Sequence, residues 1–287
     1  MSDDETQNGT PQSGKLYGGE GSHVLGELGA ASSAERRARH AAERRRHHSA
    51  LHQLVEANDS ILTTLERIRF EPSEYVDATH PVLPADAPST EFLDRPARSL
   101  GLNVRGRPYD FEWSDRKDWG GAIADRVEGT AELSVSSGGT PGDTDHTWNG
   151  AGLGIRFTPI VGMLRVAPYL PYHFKWHNDS TLEVARNRGE VGVLVREIGG
   201  RTIIDRRDPL WNDGTSWYQE HNDEQDGVFN DSTFFFTEST RELEIWFWFN
   251  SSIDYNHTGG AFDFGSSQAS NSLGARLGFV VIEQFAL

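Results

Sequence analysis

The 287-residue sequence contains no cysteine, so neither disulfides nor thiolate metal sites can hold its fold; packing, hydrogen bonds and association must do so. Lysine is nearly missing, confined to Lys15, Lys117 and Lys175, and arginine carries the cationic charge. A salt-adapted acidic proteome and GC-rich coding both produce that bias. No apolar run approaches the length of a membrane span. The start, Met1-Ser2-Asp3-Asp4-Glu5, has neither the basic residues nor the apolar run of a secretory leader, so a cytoplasmic setting is expected, with assembly into an extracellular or virion-like particle as the alternative. The Asn-x-Ser/Thr triplets at Asn8, Asn58, Asn178, Asn230, Asn250 and Asn256 accordingly read as turn and surface asparagines.

Catalytic signatures are also missing. No Gly-x-Ser-x-Gly elbow, Walker loop or dinucleotide fingerprint occurs. Glycosidase chemistry needs two opposed carboxylates, and no pair stands out among 43 Asp and Glu.

What is present divides near residue 72. Residues 1–31 are rich in Gly, Ser, Asp and Glu and read as a disordered polar tail. Ser32 or Ser33 can cap a helix over 32–71, which no Gly or Pro interrupts. Its first half holds Arg36, Arg37, Arg39, Arg44, Arg45 and Arg46 against Glu35 and Glu43, a patch of +4 in a chain of −16. That patch lacks base-reading residues and sits on an acidic body, which argues against nucleic acid as a partner. The second half repeats apolar residues at coiled-coil spacing, Leu51, Leu54, Asn58, Ile61, Leu65 and Ile68, with Asn58 at a position where a buried amide fixes register. The pattern predicts self-association through an oligomeric stalk; a single helix docked on its own β domain is the alternative.

Residues 72–104 carry Pro72, Pro81, Pro84, Pro88 and Pro96 and read as an extended connector, with Val82 and Leu83 among its apolar anchors. Over 105–287 the period becomes two. Leu153, Ile155 and Phe157 alternate with Gly154 and Arg156, and Tyr172, Phe174 and Trp176 with His173 and Lys175. Turn signals include Gly138-Gly139, Asn149-Gly150, Gly199-Gly200, Asn212-Asp213-Gly214 and Asp226-Gly227. Without intervening helices, this predicts a mainly β fold, an antiparallel β-sandwich or jelly-roll-like head. The layout is similar in architecture to fibre knobs and stalked jelly-roll trimers, an analogy of fold.

Three constellations carry candidate sites. In Arg241–Phe249, the residues Leu243, Ile245, Phe247 and Phe249 form a core row, which turns Trp246 and Trp248 to the other face. There the two rings could be covered by a loop or the N-terminal helix, enter a subunit interface, or serve as a glycan or protein platform. Trp211, Asp213, Trp217 and Tyr218 sit in an expected long loop before Glu220, His221, Asp223, Glu224 and Asp226, a density of oxygen that suits a ligand or calcium. Asp143, Asp145 and His146 could contribute to a metal site if further ligands converge. Together these features predict a non-enzymatic structural or adhesive protein; a carbohydrate-active enzyme and a monomeric lectin-like module are the alternatives.

Overall fold

The structure, a computed structural model, describes residues 19–56, 80–86, 99–116, 120–137, 144–180, 184–216, 219–238, 240–256 and 267–285. One helix, α1 (Glu20–Glu56), precedes thirteen strands among the described residues. These are β1 (Ser99–Arg105), β2 (Phe111–Asp115), β3 (Gly120–Asp125), β4 (Thr130–Ser136), β5 (Thr144–Phe157), β6 (Gly162–Ser180) and β7 (Val184–Glu197). There follow β8 (Thr202–Ser216), β9 (Gln219–Phe229), β10 (Thr233–Thr237), β11 (Leu243–Asn256), β12 (Ser267–Arg276) and β13 (Phe279–Phe285).

Every described pairing is antiparallel, and two sheets face each other as a sandwich. The five-stranded sheet has the order β2-β5-β11-β7-β8. The other is organised by the long strand β6, whose first half pairs with β13 and β10 and whose second half pairs with β12 and β9. Pro168 and Pro171 stand where β6 changes partners, a place where a residue without a backbone donor does least harm to the ladders. β8 and β9 follow one another in sequence but belong to different sheets, so the chain crosses the open edge of the sandwich between them.

The predicted core row holds: Leu243, Ile245, Phe247 and Phe249 of β11 pack inward with Leu153, Ile155, Val193, Leu164, Phe174 and Leu273, all within 2% of full burial. Between this core and a smaller one around Val135, Ile253 and Tyr255, the sheets are joined by a buried amide. Asn187 donates from Nδ2 to the carbonyls of Ser270 (2.7 Å) and His177 (3.3 Å), and its Oδ1 accepts from Asn271 Nδ2 (2.7 Å) and Trp211 Nε1 (3.0 Å). All four hydrogen-bonding positions of the amide are used, which is the condition for burying it cheaply.

Several boundaries differ from expectation. α1 begins at Glu20, inside the segment read as a disordered tail, although Gly21, Gly26 and Gly29 make its start a poor helix by propensity. Tertiary contacts supply the missing stability. Gly21 N donates to Glu244 Oε2 (2.6 Å), while the Glu20 carboxylate accepts from Arg196 Nη2 and Gly199 N, both at 2.9 Å. A carboxylate at a helix N-terminus meets both the free N–H groups and the positive end of the dipole. Residues 57–71 of the expected helix lie outside the described residues. β1 starts at Ser99, inside the expected connector, and residues 80–86 run extended beside β12, with Ser272 Oγ donating to the His80 carbonyl (3.1 Å).

Three expected turns are interior strand positions: Asn149-Gly150 in β5, Asn212-Asp213-Gly214 in β8 and Asp226-Gly227 in β9. Here glycine makes room for a neighbour instead of turning the chain. A Cβ on Gly150 would enter the Trp113 ring, and one on Gly227 would enter Tyr172. Gly199-Gly200 is a turn as expected, and Gly199 needs its positive φ of 69°.

Candidate functional site

The outer face of the five-stranded sheet holds the tryptophan cluster and the Asp145–His146 segment, and the Trp211–Ser216 segment runs along its edge. Strand registers place its side chains in rows. Trp246 stands between Gly154 and Leu194, and Trp248 between Gly152 and Gly192. Farther along come Asn250 with Glu190, Ser252 with Arg188, and Asp254 between His146 and Arg186. One end of the face is therefore aromatic and the other polar and charged.

The aromatic end is covered. Leu25 and Val24 of α1 pack on Phe111, Trp113, Trp148, Leu194, Trp246 and Trp248, with Trp246 fully buried and Trp248 4% exposed. Phe111 stacks on Trp246 at 5.5 Å, and the Trp246 Nε1 donates to Glu244 Oε2 (3.1 Å). Trp246 and Trp248 thus form the seat of the N-terminal helix and present no open platform. Gly154 permits this, because a Cβ there would lie 2.8 Å from the Trp246 ring. The arginine-rich stretch, which has no apolar stripe of its own, reaches the polar end: Arg36 pairs with Glu190, donates to Ser252 Oγ (2.8 Å), and Arg37 reaches the His146 carbonyl (3.4 Å).

Arg36 stands opposite Ser252, four residues before β11 ends, whereas α1 continues twenty residues to Glu56. At about 1.5 Å per helical and 3.3 Å per strand residue, those twenty residues span about 30 Å, against about 13 Å for the rest of β11. Arg45, Arg46 and Ser49 in this stretch are exposed. Of the seam residues, Leu51 and Leu54 belong to α1 but their side chains lie outside the described residues, as do Asn58, Ile61, Leu65 and Ile68 altogether.

The expected long loop after Trp211 is instead the end of β8 and the whole of β9. Trp211 is a core residue, 4.7 Å from Phe174 ring to ring. Asp213 turns its carboxylate to the opposite sheet, accepting from Asn178 Nδ2 (3.2 Å) and from His221 Nδ1 (3.1 Å). Trp217 and Tyr218 lie outside the described residues. The acids that follow line an edge strand and meet bases of β6: His177 with Glu220 (3.1 Å), His173 with Asp226 (3.0 Å), and Lys175 with Glu224 (3.6 Å). An edge so charged resists pairing with another sheet. Among the described residues, no group of three or more His, Asp or Glu is arranged to hold a metal ion. His146 is buried, with Nδ1 2.5 Å from Asp254 Oδ1; Asp143 and the side chain of Asp145 lie outside the described residues.

A groove of about 380 Å³ lies over the paired strands β7 and β8. Arg186 and Arg188 stand there beside their register partners Gly214 and Asn212, with Val184 and Ser216 at its end. Sequence reasoning found Asp213 and missed the arginines. Their signal was the alternation Arg186, Arg188, Glu190 on a strand whose other residues go inward, legible once the partner strand is known. Burial, followed by the charge of Arg36, lowers the Arg188 pKa from the ordinary guanidinium value; Asp254 opposes this, while Arg186 and Arg39 add to it.

Among the described residues no helix is long and apolar enough to cross a membrane. No protein-family model and no curated protein matches the chain. Among solved structures, it is similar to infectious bursal disease virus Gt strain, at 14% identity over 73% of this chain and 43% of that one, with a TM-score of 0.23. It is also similar to TmCBM61 in complex with beta-1,4-galactotriose (12% identity, 64% of this chain, 89% of that one, TM-score 0.17). A third likeness is to a structure described as CBM4 structure and function (10% identity, 67% and 93%, TM-score 0.20). The chain thus spans less than half of the virus protein it matches, and likenesses this distant assign it no activity.

Proposed function

We propose that this chain is a non-enzymatic structural or adhesive protein, a β-sandwich head that self-associates through its N-terminal helix. The observation that carries this reading is the division of α1. Residues Glu20–Arg37 are fastened to the outer face of the five-stranded sheet by Glu244, Arg196, Glu190 and Ser252, while the same continuous helix runs on to Glu56, about 30 Å beyond Arg36. A rod so anchored holds the seam begun by Leu51 and Leu54 at a fixed angle to the head. The seam is short for a coiled coil, so a rigid mount matters: it lowers the entropy lost when copies meet.

Sedimentation of the full chain over a range of concentrations tests this. An oligomer is expected, and Leu54→Asp with Ile61→Asp should return it to monomer with the β signal in circular dichroism unchanged. Asn58→Leu should raise stability and loosen the choice of subunit number. A wild-type monomer at every concentration would overturn the proposal.

A further inference from the structure

We propose that the groove over β7 and β8 is a binding site for an oxyanion, the carboxylate, sulfate or phosphate group of a small polar ligand. The inference does not rest on self-association, since a monomer would carry the same groove. Its volume of about 380 Å³ lies within the range of small-molecule sites. The period-two alternation sets Val184, Arg186 and Arg188 of β7 on one face beside their register partners Ser216, Gly214 and Asn212 of β8, and Asp213 and Thr215 complete the lining. Gly214 keeps the floor low beside Arg186: a Cβ there would stand 3.3 Å from the Arg186 Cγ.

Charge decides what fits. The nearby carboxylates are engaged with other groups: Glu190 with Arg36, Asp254 with His146, and Asp213, which also lines the groove, with Asn178 and His221. Asp254 also acts on Arg188, opposing the like charges around it. The Arg188 Nε is buried without a hydrogen-bond partner among the described residues, and Arg36, Arg39 and Arg186 add like charge around it. A half-buried guanidinium among like charges is stabilised by an anion that takes its planar fork of donors, which matches the two oxygens of a carboxylate, sulfate or phosphate. The Asn212 and Ser216 side chains are suited to the hydroxyls of a polyol carrying that group. A neutral sugar would bring no charge to the cluster of Arg36, Arg39, Arg186 and Arg188, and a cation would be repelled.

Isothermal titration of the full chain tests the assignment with four probes: inorganic sulfate, D-glucose 6-sulfate, D-glucuronate and neutral D-glucose. Binding is expected for the anions and not for glucose. Tighter binding of the sugar acids identifies a ligand that carries its oxyanion on a polyol; equal binding of inorganic sulfate identifies the free anion as the occupant. Arg188→Met should weaken binding tenfold or more at unchanged melting temperature, and Arg188→Lys, which keeps the charge but not the fork, should lose less. If Arg188→Met fails to fold, Arg186→Met makes the same measurement. No heat with any anion, equal affinity for glucose, or an unaltered affinity in the folded variants would overturn the proposal.

Discussion

Two glycines in the docked part of α1 give a direct test of whether this helix belongs to the sheet or is a free rod. Gly26 faces open space: a Cβ there meets only Asp115 Oδ2, at 4.0 Å. Gly29 lies on Trp148, where a Cβ would come within 2.6 Å of Cη2 and 2.8 Å of Cζ3, about 1 Å inside an ordinary carbon contact. Trp148 is 4% exposed and hemmed in by its neighbours, so it has little freedom to withdraw. Replacing glycine by alanine inside a helix gains about 1 kcal/mol at either position. At Gly29 this gain is set against an overpacking cost of about 1–3 kcal/mol. Gly26→Ala should therefore stabilise the protein, and Gly29→Ala should be neutral to destabilising, with the two separated by about 1–3 kcal/mol. Because helix propensity is common to both, the difference isolates docking. Denaturant unfolding measures the global effect. Hydrogen exchange at the α1 amides detects local undocking, and tryptophan emission should shift red in Gly29→Ala as Trp148 and Trp246 meet water. Equal stability changes in the two variants, with unchanged emission, would refute the docked helix.

Asn187→Leu removes the acceptor of Trp211 Nε1 and Asn271 Nδ2 and the donor of two buried carbonyls, and should cost about 3–4 kcal/mol in chemical denaturation; a loss under about 1 kcal/mol would mean that water replaces the amide. Tyr109→Phe, which deletes the 2.7 Å bond to the Leu277 carbonyl, should cost about 1–1.5 kcal/mol. Burial holds the Tyr109 phenol above its ordinary value, with the charge of Arg107 opposing the shift. The folded state keeps a proton that the unfolded chain releases near pH 10, so this group's stability contribution is intact below that value and falls as pH rises above it. Burial also raises the Tyr172 phenol, so an alkaline absorbance titration should find more than one tyrosine that resists ionisation, and Tyr109→Phe should lower their number by one.

Much of the sandwich was legible because strand burial has a period of two. Leu243, Ile245, Phe247 and Phe249 declared their face without any knowledge of a partner strand, as did Tyr172, Phe174 and Trp176. The same rule set Trp246 and Trp248 on the opposite face, but what covers a face is a fact about another part of the chain. A glycine-rich segment with little helix propensity, Glu20–Gly29, proved to be the cover, because Glu244 caps its first turn and the rings beneath it accept its close approach. Glycine itself was ambiguous. In Gly199 it turns the chain, whereas in Gly150 and Gly227 it clears space for rings on neighbouring strands, and the two uses look alike in sequence.

The linear sequence by itself determined the fold class, the inward rows of the strands, the lack of any covalent staple and the acidic balance, since each depends on composition or on neighbours one or two residues away. Tertiary structure decided the rest: that the start of the arginine stretch, Arg36 and Arg37, lies on its own sheet, that the acidic run is an edge strand paired with histidines and a lysine, and that Arg186 and Arg188 meet Gly214 and Asn212 at a groove. These meetings join residues tens to hundreds of positions apart. The register between strands, fixed by packing of the whole sandwich, brings them together, and no local pattern encodes it.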